Sequence, residues 1–170
     1  MPEDTPPQGH MRCNTMSFQI VGVPLEAFSA LFALSDRELA ELHVQRVVAT
    51  EKPGFPCRVS LVDAEIGEEL LLLPYEHQPA QSPFRASGPI FVRKAARERS
   101  LAVDEITDYV RIRLLSVRAY DSSDRMLDAA VCEGKDVAVA IGRMFENLQV
   151  AYIHLHNANR GCFSCRVNRV

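Results

Sequence analysis

The sequence lacks any run of about 20 apolar residues, the length that a membrane-spanning helix needs. It also lacks the P-loop, G-x-G-x-x-G, G-x-S-x-G and H-E-x-x-H motifs, which removes the common signatures of nucleotide-binding proteins, hydrolases and zinc proteases. Neither sign of charge is in large excess, because 19 basic and 22 acidic residues leave a net charge of −3. This balance gives no electrostatic reason to expect a nucleic-acid or membrane partner.

The N-terminal region also has no apolar segment of the kind a secretion signal needs, so we do not expect export. The five cysteines are odd in number and scattered, which is typical of free thiols in a reducing compartment. We therefore expect a soluble, cytoplasmic protein. Residues 1–15 are rich in proline and polar side chains, so they are predicted to form a disordered extension, with Met16 as an alternative start of translation.

The rest of the chain contains enough apolar sequence to build a core, since 47% of the 170 residues are apolar. Residues 16–170 contain no repeat or low-complexity linker, which predicts a single domain. Periodic apolar positions predict about three helices: a short one after Pro24, one at about 36–46 that begins at a capping box of Ser35 and Glu38, and one at 137–148.

Strand-like runs outnumber these helices. They lie at residues 17–23, 57–62, 69–75, 90–93, 114–120, 126–132, 150–156 and 162–167. Several are joined by short turns, and a regular alternation of strand and helix is absent. The pattern therefore indicates an α+β fold: a largely antiparallel sheet with about three helices packed on it.

Two histidines in the last predicted hairpin are the strongest candidates for chemistry. Side chains two positions apart on a strand project to the same side of a sheet, so His154 and His156 are expected to lie side by side. Such a pair can bind a divalent metal such as zinc, or one ring can act as a general base. In the alternative interpretation they line a solvated face or form hydrogen bonds in the core, because H-x-H alone is a weak motif.

Nearby cysteines extend this hypothesis. Cys162 and Cys165 form a C-x-x-C pair, so two histidines and two thiols fall within twelve residues. Their opposite parity on one strand predicts that they face opposite sides of the sheet, which disfavours a four-ligand zinc site. Cys57, which follows a Pro/Gly turn, is a further candidate for a Cys–His nucleophile, the alternative being a small buried side chain.

The segment 76–88 is predicted to be a long loop, and long loops inside compact domains are often functional. Glu76 and His77 are candidate acids or bases, and Arg85 is a candidate for binding a carboxylate or phosphate. The alternative is an exposed loop that Phe84 holds in place.

Several segments resemble the bacterial family known only as domain of unknown function 1203. They are PGFPCRVSL at 53–61, DAEIGEELLLLPYEHQ at 63–78, SPFRASGPIFVR at 82–93, LLSVRAYD at 114–121 and YIHLHNANRGCFSCR at 152–166. The resemblance runs from about residue 16 to the end and implies no activity. It implies that Cys57-Arg58, Glu76-His77, the strand around 87–92 and the C-terminal hairpin belong to a shared framework. Cys165 stands where the family pattern has a small residue, which leaves His154, His156, Asn157 and Cys162 as the favoured set.

Two functions follow from the sequence as hypotheses. The first is a binding module for a small molecule or a protein partner, with a pocket between the C-terminal hairpin and the 76–88 loop. Its candidate binding residues are Arg58, Glu76, His77, Arg85 and Asn157. The second is a small enzyme in which His154 and His156 act with the thiol of Cys57 or Cys162.

Overall fold

The computed structural model describes residues 16–170, so the prediction for residues 1–15 lies outside the described residues. The strands are β1 (Phe18–Val21), β2 (Gln45–Val48), β3 (Pro56–Cys57), β4 (Val62–Asp63), β5 (Glu69–Gln78), β6 (Ala86–Arg93), β7 (Leu114–Tyr120), β8 (Met126–Glu133), β9 (Tyr152–Asn157) and β10 (Phe163–Arg169). The helices in this range are α1 (Glu26–Ser29), α2 (Asp36–Glu41), α3 (Asp108–Arg111) and α4 (Val137–Phe145), with short 3-10 turns at Ala30–Ala33 and Gly134–Asp136. None of these helices is long and apolar enough to cross a membrane.

The first sheet has the strand order β1-β10-β9-β7-β8, and its neighbouring strands are antiparallel. Because side chains alternate along a strand, Ile153 and Leu155 of β9 face one side and the histidines the other. Ile153 and Leu155 pack in a core with Ile141 and Phe145 of α4. The apolar side of this sheet is therefore closed by a helix, and its polar side is left for other elements to cover.

The second sheet has the order β2-β5-β6-β3-β4, with one parallel pair where Cys57 of β3 lies beside Phe91 of β6. Its apolar face packs against Phe28 of α1 and Leu39 of α2. Phe163 belongs to β10 of the first sheet, yet it is buried in this second core. The side chain of Phe163 therefore packs across the junction between the two sheets.

The prediction of a strand-rich fold with helices is confirmed, but the strands form two sheets rather than one. The helix predicted at 36–46 begins at its capping box and ends at Glu41. It ends early because His43 adopts a positive φ of 58°, after which residues 45–48 pair with β5 as a strand. The predicted 76–88 loop is also shorter, since β5 extends to Gln78 and β6 begins at Ala86.

Candidate functional site

Three histidines lie together where the end of β5 meets the polar face of β9. The ring centroid of His77 is 5.1 Å from that of His156 and 6.2 Å from that of His154, and the last two are 6.2 Å apart. Phe163 stacks on His77 at 5.1 Å and contacts the other two rings edge-on at 5.0 and 5.7 Å. We call these four side chains the histidine cluster. It contains both predicted histidines of β9, on the same side of the strand as expected.

The imidazoles of this cluster are held in the neutral form. His154 and His156 are each 1% exposed, and burial lowers the pKa of His154 to about 2 and that of His156 to about 4. The positive charges of Arg166 and Arg118, which pair with His154 on the two neighbouring strands, lower its pKa further. Burial also lowers the pKa of His77. Since a general base works best near its own pKa, His154 is poorly suited to that role at neutral pH.

Hydrogen bonds in the cluster leave several nitrogens without partners. Nδ1 of His156 donates to the carbonyl oxygen of Gly161 at 3.0 Å. In the neutral ring the Nε2 atom therefore carries no proton. Within residues 16–170, that Nε2 and the buried Nδ1 atoms of His77 and His154 have no hydrogen-bond partner. No group of three or more His, Cys, Asp or Glu side chains in this range is arranged to hold a metal ion. Within these residues, the structure therefore provides no third ligand for a zinc ion bound by His154 and His156.

A tyrosine closes one end of the cluster. The hydroxyl of Tyr152 donates to Asp124 at 2.6 Å and accepts from the side-chain amide of Gln78 at 2.7 Å. Its ring stacks on Tyr120, and the guanidinium of Arg166 lies 3.8 Å from its centroid. These contacts tie β5 and the turn after β7 onto β9. The rings of Tyr120 and Tyr152 also pack against His154, each at a centroid distance of 5.2 Å.

Cys162 lies apart from the histidine cluster. Its Sγ accepts a hydrogen bond from Nη2 of Arg58 at 3.2 Å and another from Nδ2 of Asn157 at 3.3 Å. Asn157 follows His156 on β9 and therefore points to the opposite side of the strand. The residue as a whole is partly exposed. Its environment is thus cationic and polar, and it does not include the imidazoles.

Arg58 is placed by the turn between β3 and β4 and is only 2% exposed. Its Nε donates to the carbonyl oxygen of Phe163 at 2.8 Å, and its Nη1 donates to that of Pro56. None of the ion pairs formed within residues 16–170 involves this guanidinium. With the bond to Cys162, three of its five N–H groups are used, which leaves two as donors.

A cavity of about 390 Å³ opens beside these groups, and we call it the Cys162 cavity. Its volume is within the range typical of small-molecule sites. Its polar wall includes Arg58, Asn157, Arg160 and Cys162, and its apolar wall includes Phe91, Ile112 and Leu114. None of the three clustered histidines lines it.

The charges around the cavity do not cancel. Arg113 also lines it, but Nη2 of that residue lies 2.7 Å from both carboxylate oxygens of Asp63, so its charge is balanced. Arg160 is exposed and forms no ion pair within the described part of the chain. Glu51 contributes one negative charge at the wall, against the two positive charges of Arg58 and Arg160. The cavity therefore favours an anion.

Other residues predicted for a site lie elsewhere. Cys57 is fully buried, and its Sγ accepts a backbone hydrogen bond from Arg93 at 3.4 Å. Glu76 forms an ion pair with Arg85 at 2.6 Å, with both side chains open to solvent. Cys165 lies in the core of the first sheet, where burial raises its pKa to about 12. Within residues 16–170, no hydrogen bond joins His154 or His156 to the thiol of Cys57 or Cys162.

Sequence reasoning missed two arginines of the cavity. Arg160 carried a signal, because it stands in the turn between Asn157 and Cys162, both of which were singled out. Arg113 carried none, since it reaches the cavity from the segment between α3 and β7. Its position depends on long-range packing, which no local pattern encodes.

Comparison with known protein families gives a match over most of the chain. The family model described as protein of unknown function (DUF1203) matches residues 54–169, which include β9, β10 and all of the cavity's basic side chains. No curated protein and no solved structure matches the chain. Since the family model spans most of the sequence, the chain belongs to the DUF1203 family.

Proposed function

We propose that this chain is a binding module for a small organic acid, which it holds in the Cys162 cavity. The observation that carries the proposal is Arg58, a buried guanidinium with two unused N–H donors and no carboxylate partner within residues 16–170. Guanidinium groups bind carboxylate and phosphate oxygens with well-defined geometry. A small oxyanion in the cavity supplies the negative charge that Arg58 lacks.

The apolar wall supports an organic rather than an inorganic ligand. Ile112 and Leu114 are exposed by 56% and 37%, although both are large apolar side chains, and Phe91 lies beside them. A ligand with an acidic end and an apolar body would cover these groups while its oxygens reach Arg58 and Arg160. We therefore propose monocarboxylic acids about the size of benzoate as the ligand class.

The alternative enzyme hypothesis with His154 or His156 is less well supported. Both rings are buried and neutral, and they lie outside the cavity that holds Cys162. We propose that the histidine cluster joins the two sheets, because it packs around Phe163 at their junction. Under this proposal the predicted binding residues Arg58 and Asn157 act in the cavity, whereas Glu76, His77 and Arg85 do not.

We also propose that residues 16–170 act as one domain in the cytoplasm. Phe163 supports the first part, because it is buried in the core of the sheet to which it does not belong. The four cysteines of the described residues support the second, since all are free thiols.

Calorimetric titration with benzoate and with benzamide, its neutral analogue, tests the binding proposal. We expect saturable binding of benzoate and at least about tenfold weaker binding of benzamide, because the amide lacks the charge that Arg58 and Arg160 require. The variant Arg160→Ala is expected to weaken benzoate binding about tenfold.

The matched control is Arg125→Ala, which removes another exposed arginine that does not line the cavity. It should change the affinity less than about twofold. Equal binding of the two ligands, or equal effects of the two substitutions, would contradict an oxyanion site at this cavity.

A further inference from the structure

We infer that strand β8 binds the same strand of a second copy of this chain, so that the first sheets of the two copies join edge to edge around a twofold axis. The surface concerned is the open edge of β8, and no residue of that strand lines the Cys162 cavity. The inference therefore goes beyond the proposed function and does not depend on it.

The other edges of the two sheets are short or covered. The outer strands of the second sheet, β2 and β4, have four and two residues. β1 of the first sheet also has four residues, and the segment after β6 lies along it. There the N–H of Leu101 donates to the carbonyl oxygen of Ile20, and that of Gly22 donates to Arg99, both at 2.9 Å.

β8 differs from these edges in length and in lacking a cover. It has eight residues, and within the described part of the chain it pairs only with β7. The free N–H and C=O groups of such an edge pair readily with another strand, so proteins commonly protect it with lysine or proline. β8 contains neither, and its charged residues are Asp128 and Glu133 alone.

Two hydrogen bonds show which backbone groups of β8 point outward. The N–H of Gly134 donates to the carbonyl oxygen of Arg113 at 2.7 Å, so this position faces the β7 side. Because the bonding direction alternates along an antiparallel strand, Ala129 and Val131 turn their N–H and C=O groups to the open edge. In agreement with this, the N–H of Ala129 donates to the carboxylate of its neighbour Asp128 at 2.8 Å.

The side chains along this edge suit an apolar contact. Val131 is 64% exposed and Leu127 is 39% exposed, although both are large apolar side chains. Ala129 and Val131 lie two positions apart and therefore share one face of the strand. A partner strand would cover this face while it satisfies the outward backbone groups.

The outward groups restrict how two copies fit together. With the twofold axis at Ala130, Ala129 of each copy lies opposite Val131 of the other, and each of these pairs exchanges two hydrogen bonds. The N–H of Ala129 then donates to the second copy instead of to Asp128. The side chains of Val131 lie near the axis, where the second copy covers them.

The charges at the two ends of β8 favour the same arrangement. Arg125 directly precedes the strand, and Glu133 is its last residue. Both side chains are exposed, and neither forms an ion pair within residues 16–170. In an antiparallel pair the Arg125 end of each copy lies beside the Glu133 end of the other. A second copy therefore complements this edge in charge as well as in hydrogen bonds.

Sedimentation of the full chain at a series of concentrations tests the inference. We expect a reversible dimer of twice the chain mass of 19.0 kDa to predominate at about 100 µM, because an interface of one strand pair is small. Val131→Lys puts a positive charge near the axis in each copy and should raise the dimer Kd at least about tenfold. The matched control is Val139→Lys on α4, where the side chain is 77% exposed, and it should change Kd less than about twofold.

Reversal of the end charges tests the orientation of the two strands. Glu133→Arg sets positive charges beside each other at both ends of the interface and should raise Kd about tenfold. The double variant with Arg125→Glu restores opposite charges, so its Kd should return to within about threefold of that of the unmodified chain. Damage to the fold would not be repaired by this second substitution.

Three results would overturn the inference. The first is a chain that stays monomeric up to about 1 mM, which would leave the edge of β8 to a strand from another protein. The second is an equal effect of the two valine substitutions. The third is a double charge variant that dimerises no better than Glu133→Arg alone.

Discussion

Acidification from pH 7 to pH 5 is expected to reduce the free energy of unfolding by about 4 kcal/mol, because two buried histidines are neutral in the folded state. The pKa values of His154 and His156 are about 2 and about 4 when folded, against an ordinary value of 6.5. Between the folded and unfolded values, the unfolded chain binds more protons, so stability falls as the pH falls. Each group contributes about 2 kcal/mol across this interval.

Nearby groups act in the same direction. Burial lowers the pKa of His77 as well, so it adds to the loss. The positive charges of Arg166 and Arg118 oppose protonation of His154. The carboxyls of Glu68 and Glu69, whose pKa values are lowered by hydrogen bonds from Arg93 and Arg46, add their own loss below about pH 4.5.

Urea unfolding at a series of pH values measures this dependence. His154→Leu removes one of the two groups and should roughly halve the change between pH 7 and pH 5. His43→Ala is the matched control, because that exposed histidine lies outside the cluster, and it should leave the dependence unchanged. A pH dependence that is the same in His154→Leu as in the unmodified chain would contradict the burial of neutral imidazoles.

Replacement of Phe163 by alanine is expected to lower the free energy of unfolding by about 4 kcal/mol. The ring is 3% exposed and packs against all three histidines of the cluster as well as Tyr75, so its removal leaves a cavity at the junction of the two sheets. The same cavity would admit water to the imidazoles. We therefore expect the histidine pKa values to rise towards 6.5 and the pH dependence to weaken.

Phe84→Ala provides the comparison for this change. Phe84 is 38% exposed, and its ring meets Tyr120 edge-on rather than a histidine. Its loss should cost about 1 kcal/mol and leave the histidine pKa values unchanged. Histidine titration by NMR and chemical unfolding of both variants give the two readouts. Equal destabilisation by the two substitutions would show that Phe163 does not join the sheets.

Local patterns predicted the parts of this fold that depend on short-range physics. The capping box of Ser35 and Glu38 marked the start of α2, and alternation along β9 placed His154 and His156 on one face. The end of α2 was predicted wrongly, because the chain turns at His43 to pair with β5, a partner distant in sequence. The split into two sheets depends on such pairings throughout.

In the candidate site too, the sequence predicted the residues that are close in the chain but not the contacts between distant ones. Cys162 and Asn157 were recognised because they lie in one hairpin, and Arg58 was recognised through the family resemblance. Their meeting required β3 and β10 to approach each other, which brings residues 104 positions apart into hydrogen-bond distance. Cys162 is hydrogen-bonded to Asn157 rather than to a histidine, since Asn157 and His156 are consecutive on β9 and point to opposite sides.

A crystal structure of the protein with 4-bromobenzoate would show whether an organic acid binds in the Cys162 cavity, because the anomalous signal of bromine locates the ligand and its orientation. We expect the carboxylate within hydrogen-bond distance of Arg58 or Arg160, and the bromine against Ile112 and Leu114. Two results would contradict binding of organic acids in the Cys162 cavity. One is an empty cavity at a ligand concentration that saturates the calorimetric signal, and the other is a ligand bound elsewhere on the chain.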